Sequence, residues 1–189
     1  MSDDLDGPRI PPGSVKELGV VGWIVAHTLG LAAGTKAPHL FTTLGRHRRL
    51  FRAWLSFASR LMPFGVLPRR ESELVILRVA HLRQCRYELE HHARLGARAG
   101  LSEADIERVK EGPDAEGWSA RERLLLRAAD ELHRTQDISD ALWSELGREL
   151  DEEERIELVM LAAHYEMLAT TIRALRIQPD APRRMSSRS

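Results

Sequence analysis

The segment from Glu71 to His92, ESELVILRVAHLRQCRYELEHH, holds groups that can move protons or attack electrophiles. It ends in Cys85, Tyr87, Glu88, His91 and His92, and Cys85 is the 1 cysteine of the chain. Glu73 sits inside its apolar run. On a helix at ~100° per residue, Cys85 and His92 fall about 20° apart and Glu88 about 60° to their side. A thiol, a carboxylate and an imidazole would then share one face. Glu88 and His92, four residues apart, are spaced for a direct hydrogen bond that would orient the imidazole. Glu73, if buried, would have its pKa raised into the range useful for general acid or base work.

Each residue also has a plainer reading. Cys85 could be a nucleophile if a helix N-terminus or a nearby imidazolium stabilised its thiolate, but neighbouring carboxylates would act the other way. Otherwise it is a small buried hydrophobe. Glu73 could be a first-turn glutamate that complements the helix dipole. Glu88 and His92 could be an exposed pair contributing a few tenths of a kcal/mol. Tyr87 and His81 are weaker candidates, as substrate-binding side chains. His91 points about 100° from His92 and reads as a surface or interface residue. These are legitimate metal-ligand types, yet no H-E-x-x-H or C-x-x-C pattern is present, and no metal is expected. No glycine-rich phosphate loop or dinucleotide fingerprint appears, so no cofactor is expected either.

The chain has 189 residues, 43% hydrophobic and 30% charged, with 28 basic and 28 acidic side chains. Zero net charge argues against a dedicated nucleic-acid binder, although Arg46–Arg52 is locally basic. A single cysteine suits a reducing, cytoplasmic setting. The first residues, MSDDLDGPRIPPG, are acidic and rich in Pro and Gly, unlike a secretory leader. The apolar run from Val20 to Gly34 is short for a bilayer span and is interrupted by glycines and a histidine. It reads as an arm packed on the domain, with no membrane expected.

The positioning elements are helical throughout. Residues 1–14 read as a flexible arm and 15–36 as weakly helical. Helices are expected over about 47–62, 69–84, 86–99, 102–110, 119–134, 138–150 and 151–175. PFGVLP, Pro63 to Pro68, is a breaker-rich loop. Ser102 with Asp105, Ser119 with Glu122, and Asp151 with Glu154 mark helix starts. Gly100 suits a helix end. The run from Leu74 to Leu82 is apolar nearly all round and reads as a buried central helix. No alternating strand pattern is found, so the class is all-α. A repeat is visible at an offset of 83, pairing Leu67–His81 with Leu150–His164. In the second copy Ile156 stands in place of Glu73 and Leu168 in place of Cys85. The scaffold repeats and the reactive groups do not. His164 and Tyr165 of the second copy could face the same central cavity.

Over Glu73–His92 the chain resembles the carboxymuconolactone decarboxylase family, which includes alkyl hydroperoxidase D. Redox members of that family carry Glu, eleven residues, Cys-x-x-Cys, three residues and His. Glu73, Cys85 and His92 match, and Glu88 replaces the second cysteine. The phrase LPRRESELVILRVA adds to the likeness, which is strongest over 51–101. The resemblance implies an AhpD-like helical domain at 37–177, built on a pseudo-repeat of buried helices and forming homo-oligomers. It leaves an N-terminal arm at 1–36 and a disordered tail at 178–189. It implies that the second cysteine attacks peroxide, the first resolves the product, and Glu and His relay protons. Here the attacking position is Glu88, which puts peroxidase activity in doubt. Decarboxylase members use acid–base chemistry without the cysteine pair. The expectation is therefore an acid–base enzyme acting on a small organic acid, lactone or carbonyl compound. Glu73, Glu88 and His92 would transfer protons and Cys85 would lie in the pocket. The alternatives are a one-cysteine thiol peroxidase, or a non-enzymatic oligomeric scaffold for a ligand or partner. Trp23, Trp54 and Trp143 are candidates for burial between subunits.

Overall fold

A computed structural model describes residues 7–33 and 36–180. Among the described residues there are nine α-helices and no strand: α1 (Val15–Ala33), α2 (His39–Leu44), α3 (Arg48–Leu61), α4 (Arg69–Leu82), α5 (Arg86–Arg98), α6 (Glu103–Glu111), α7 (Ala120–Thr135), α8 (Asp140–Glu149) and α9 (Glu152–Leu175). The all-α expectation holds. The chain divides into two compact units, Met1–Ser56 with Ile172–Ser189, and Phe57–Thr171.

In the first unit, α1 is broken at Gly19, whose backbone has φ +72°. That conformation suits glycine, and a side chain there would also press on the Arg48 guanidinium at 3.3 Å. The guanidinium donates instead to the carbonyls of Lys16 and Glu17. The segment before α1 is tied down by Gly13 N–H donating to the Thr42 carbonyl at 3.0 Å and by Arg46 donating to the Pro11 carbonyl at 2.9 Å. Asp180 accepts from the His39 backbone N–H at 2.8 Å and is buried. Residues 7–14 and 178–180 are thus engaged where an arm and a tail were expected; the rest of both expectations, 1–6 and 181–189, lies outside the described residues. The short helix α2 was not anticipated, because six residues between Pro38 and Gly45 are too few to show periodicity.

The second unit is organised on α4, which packs against α5, α6 and α7. Leu74, Val75, Ile76, Leu77, Val79 and Ala80 are all at most 1% exposed, as an all-round apolar helix requires. Leu74 and Leu77 share a core with Leu101, Val109, Trp118 and Leu126. Arg78 is buried in the same run and is satisfied by a two-pronged contact with Asp130 and by the carbonyls of Val109 and Lys110. The capping boxes at Ser102–Asp105 and Ser119–Glu122 form as expected. Helix α4 ends at Leu82 instead of running to Gln84, because Gln84 turns left-handed at φ +51° and releases the chain into α5.

The repeat has a physical counterpart. Glu71 and Glu154, equivalent at the offset of 83, both bind Arg121. The Arg121 side chain reaches Glu71 at 2.9 Å and Glu154 at 2.5 Å, so one cation locks the starts of α4 and α9 together. A second tie is Glu157, which accepts from the N–H groups of Val66 at 2.6 Å and Leu67 at 3.0 Å. It holds the loop that feeds α4. Gly65 lets the carboxylate approach, since a side chain there would stand 2.3 Å from its Oε1. Arg121→Ala is expected to cost about 1–3 kcal/mol, because two half-buried carboxylates lose their partner. Urea denaturation checks this, and a loss under about 0.5 kcal/mol would show the clamp to be ornamental.

Candidate functional site

The site lies within the second unit, where α4, the start of α5 and the middle of α9 meet. Glu73 projects from the first half of α4 and is 0% exposed. A carboxylate so buried needs partners. Arg69, one helical turn earlier, places Nη2 2.6 Å from Glu73 Oε1. His92 on α5 donates from Nδ1 to Glu73 Oε2 at 2.8 Å. The result is an Arg69–Glu73–His92 line in which the carboxylate fixes the imidazole tautomer and leaves Nε2 as the ring's other nitrogen.

The sequence spacing had suggested a Glu88–His92 hydrogen bond, but it is not what forms. His92 turns across to α4, where the buried charge of Glu73 demands a donor. Glu88 is left 2% exposed, and neither of its oxygens has a hydrogen-bond partner at normal geometry. Burial pushes the Glu88 carboxyl up to about 8, with Glu166 adding to the rise and Cys85 and Arg83 opposing it. It stands in the first turn of α5, where the helix dipole favours a negative charge, yet desolvation wins.

Cys85 is the N-cap residue of α5 and is 5% exposed. Burial and the adjacent Glu88 push its thiol up to about 12. The helix N-terminus does not make this cysteine a thiolate.

Tyr165, from the second repeat, closes the cluster. Its ring meets His92 edge-on, with centroids 5.0 Å apart, and it is 5% exposed. Burial, Glu73 and Glu88 together hold its hydroxyl well above the usual tyrosine range. The hydroxyl donates to the Met62 thioether at 3.7 Å. His164 packs edge-on against Tyr165 at 5.4 Å and against Phe57 at 5.3 Å. Phe57 in turn lines an apolar groove of about 270 Å³ with Leu61, Val66, Ile156 and Met160. Rings therefore connect the groove to the cluster.

The two residues expected to bind substrate have surroundings of their own. His81 feels Arg78, Lys110 and Asp130; burial and the two cations lower its pKa. Tyr87 is buried and stacks on His91 at 6.2 Å. His91 itself is partly buried between Tyr87 and His92, and burial brings it down to about 3. The surface reading of His91 is corrected. Arg69 escaped sequence reasoning, although its i, i+4 relation to Glu73 was there to be read. Among the described residues no group of three His, Cys, Asp or Glu side chains stands ready to hold a metal ion.

Residues 48–131 match the carboxymuconolactone decarboxylase family. No curated protein sequence matches the chain. Among solved structures, a peroxidase-related protein with an alkylhydroperoxidase AhpD core from Ralstonia eutropha JMP134 is 18% identical with a TM-score of 0.82, covering 93% of this chain and 93% of its own. A peroxidase-related protein from Silicibacter sp. TM1040 is 19% identical with a TM-score of 0.77, covering 94% and 91%. The debrominase Bmp8, as a cysteine-to-alanine variant with 2,3,4-tribromopyrrole, is 17% identical with a TM-score of 0.81, covering 95% of both chains. At these identities the likeness establishes the fold. The AhpD-like helical architecture thus extends well beyond the 48–131 stretch that carries the family's sequence signature.

Because Glu88 is protonated more readily in the folded chain than at its ordinary value of 4.5, folding binds a proton between that value and about 8. Stability attributable to Glu88 is therefore full below the lower value and is lost as pH rises through the upper one. Thermal denaturation from mildly acid to mildly alkaline pH is expected to show a falling midpoint. In Glu88→Gln that fall should flatten, with a gain of roughly 1–4 kcal/mol at alkaline pH. Parallel pH profiles for the two proteins would contradict a buried, unpaired Glu88.

Proposed function

We propose that the protein is an acid–base enzyme of the carboxymuconolactone decarboxylase family. It acts on a small organic acid, lactone or carbonyl compound without a redox cysteine pair. The observation that carries this reading is the Glu73–His92 hydrogen bond at 2.8 Å, buried and backed by Arg69. His92 is the base, held in one tautomer by Glu73. Glu88, with its carboxyl raised to about 8, is the acid available at neutral pH. Two titratable groups pushed to different tasks by their surroundings are the ordinary arrangement for such chemistry.

The one-cysteine peroxidase is disfavoured, because a thiol raised to about 12 supplies very little thiolate at neutral pH. The names of the peroxidase-related and debrominase relatives therefore do not transfer to the sulfur of this chain. The test is turnover on a panel of lactone acids, keto acids and enolisable carbonyl compounds, followed by NMR. His92→Ala should lower kcat/KM by at least about 100-fold, and Cys85→Ser should change it by no more than about threefold. Full turnover by His92→Ala on every compound the wild type accepts would sink the assignment.

A homo-oligomer is part of the proposal. Trp23 and Trp143 are 38% and 41% exposed, and Val20, Val21, Ile156 and Met160 add exposed apolar surface. Trp54, by contrast, is partly buried in a ring cluster with Phe41 and Phe51. Sedimentation is expected to give a species heavier than the 21.4 kDa chain, and a pure monomer would contradict this.

A further inference from the structure

Two hydroxyl donors in the cluster are spoken for weakly or not at all. The Tyr165 hydroxyl is buried, and the acceptor it has among the described residues is a thioether sulfur at 3.7 Å. Sulfur of that kind is a poor acceptor. The Glu88 carboxyl is buried with no hydrogen-bond partner at normal geometry, the Cys85 thiol being its polar neighbour. Native interiors rarely leave such groups idle, and each calls for an explanation. Both belong to the group that includes His92: Tyr165 by ring contact, Glu88 by standing one helical turn before His92 on α5, where both are buried.

The charges around them are already matched. Arg69 stands 2.6 Å from Glu73, and Arg83 stands 3.2 Å from Glu166. Among the described residues Glu88 forms no ion pair, and burial outweighs the pull of Arg83, so it is a neutral acid that can donate a proton in a hydrogen bond. Neutral donors beside a fixed base suit a ligand that arrives uncharged and becomes negative during the reaction.

We propose that the site takes an uncharged, enolisable carbonyl compound, whose oxygen accepts hydrogen bonds from the Glu88 carboxyl and the Tyr165 hydroxyl while His92 removes the adjacent C–H proton. This rests on the acid–base reading above and narrows it. In the step, the C–H bond breaks and an N–H bond forms at His92 Nε2. The released electron pair moves into the C=O group and leaves an enolate oxygen. The two hydroxyl donors hold that oxygen. The buried Nη1 of Arg69, which has no acceptor of its own in the described structure, adds favourable charge. Returning the proton to a conjugated carbon completes a tautomerisation, returning it to the other face of the same carbon an epimerisation, and neither consumes a further reactant. Tyr165 thereby becomes a catalytic residue contributed by the half of the repeat that lacks Glu73 and Cys85.

A phenolate mimics an enolate, so the probe is 4-nitrophenol, whose ionised form is followed by absorbance. 4-Nitrobenzoate is the carboxylate control. The full chain is expected to bind 4-nitrophenol in its ionised form at mildly acid pH. Tyr165→Phe and Glu88→Gln should each weaken binding at least about tenfold, and 4-nitrobenzoate should bind at least about tenfold more weakly. Thermal denaturation verifies that both variants fold. Absence of nitrophenol binding, equal binding by the variants, or equal binding of 4-nitrobenzoate each overturns the proposal. Such outcomes leave the broader acid–base reading standing if His92→Ala still abolishes turnover, so the two failures are separable.

Discussion

The constraint on which the rest depends is the burial of a single carboxylate. Glu73 is wholly removed from solvent in the middle of an apolar helix. Left unpaired, it would cost several kcal/mol, on the scale that unfolds ordinary domains. The chain meets the cost from two directions, with Arg69 one turn back on α4 and His92 across on α5. The second partner has a consequence beyond stability. It takes the Nδ1 hydrogen bond of His92, so the Glu88–His92 bond that the helix spacing allowed does not form. One imidazole is fixed by a carboxylate, and one carboxyl is left without a partner.

The internal repeat explains how such a site can be held rigid. Its two apolar helices, α4 and α9, begin with equivalent glutamates that share Arg121. Another second-copy residue, Glu157, holds the loop that leads into α4. With the scaffold secured at its helix starts, the copies could diverge further along. The first carries the acid, the thiol and the imidazole. The second presents Tyr165 and His164 as a wall of rings. The asymmetry of the repeat thus sets Glu73, Cys85 and His92 in one half against the aromatic rings of the other.

Much of this was legible in the sequence. The helices followed from apolar periodicity and from capping boxes at Ser102 and Ser119, because those signals are local. Glu73, Cys85, Glu88 and His92 stood out because reactive side chains inside or beside an apolar run are costly to keep. What could not be read was pairing. Helical spacing shows that Glu88 and His92 can meet but not that Glu73 competes for the same imidazole across two helices. Burial of Cys85 and Glu88 likewise depends on packing between helices, and it raises the pKa of both groups. His81 looked equivalent to the others on composition, yet its position on α4 turns it toward Arg78 and Asp130.

The proposed chemistry requires His92 to be held by Glu73. Nitrogen NMR of the imidazole in the intact protein reads this directly. Neutral His92 is expected to carry its proton on Nδ1, with Nε2 unprotonated, and Glu73→Gln should disturb that tautomer. A neutral ring protonated on Nε2, or a spectrum unchanged by Glu73→Gln, would contradict the central claim.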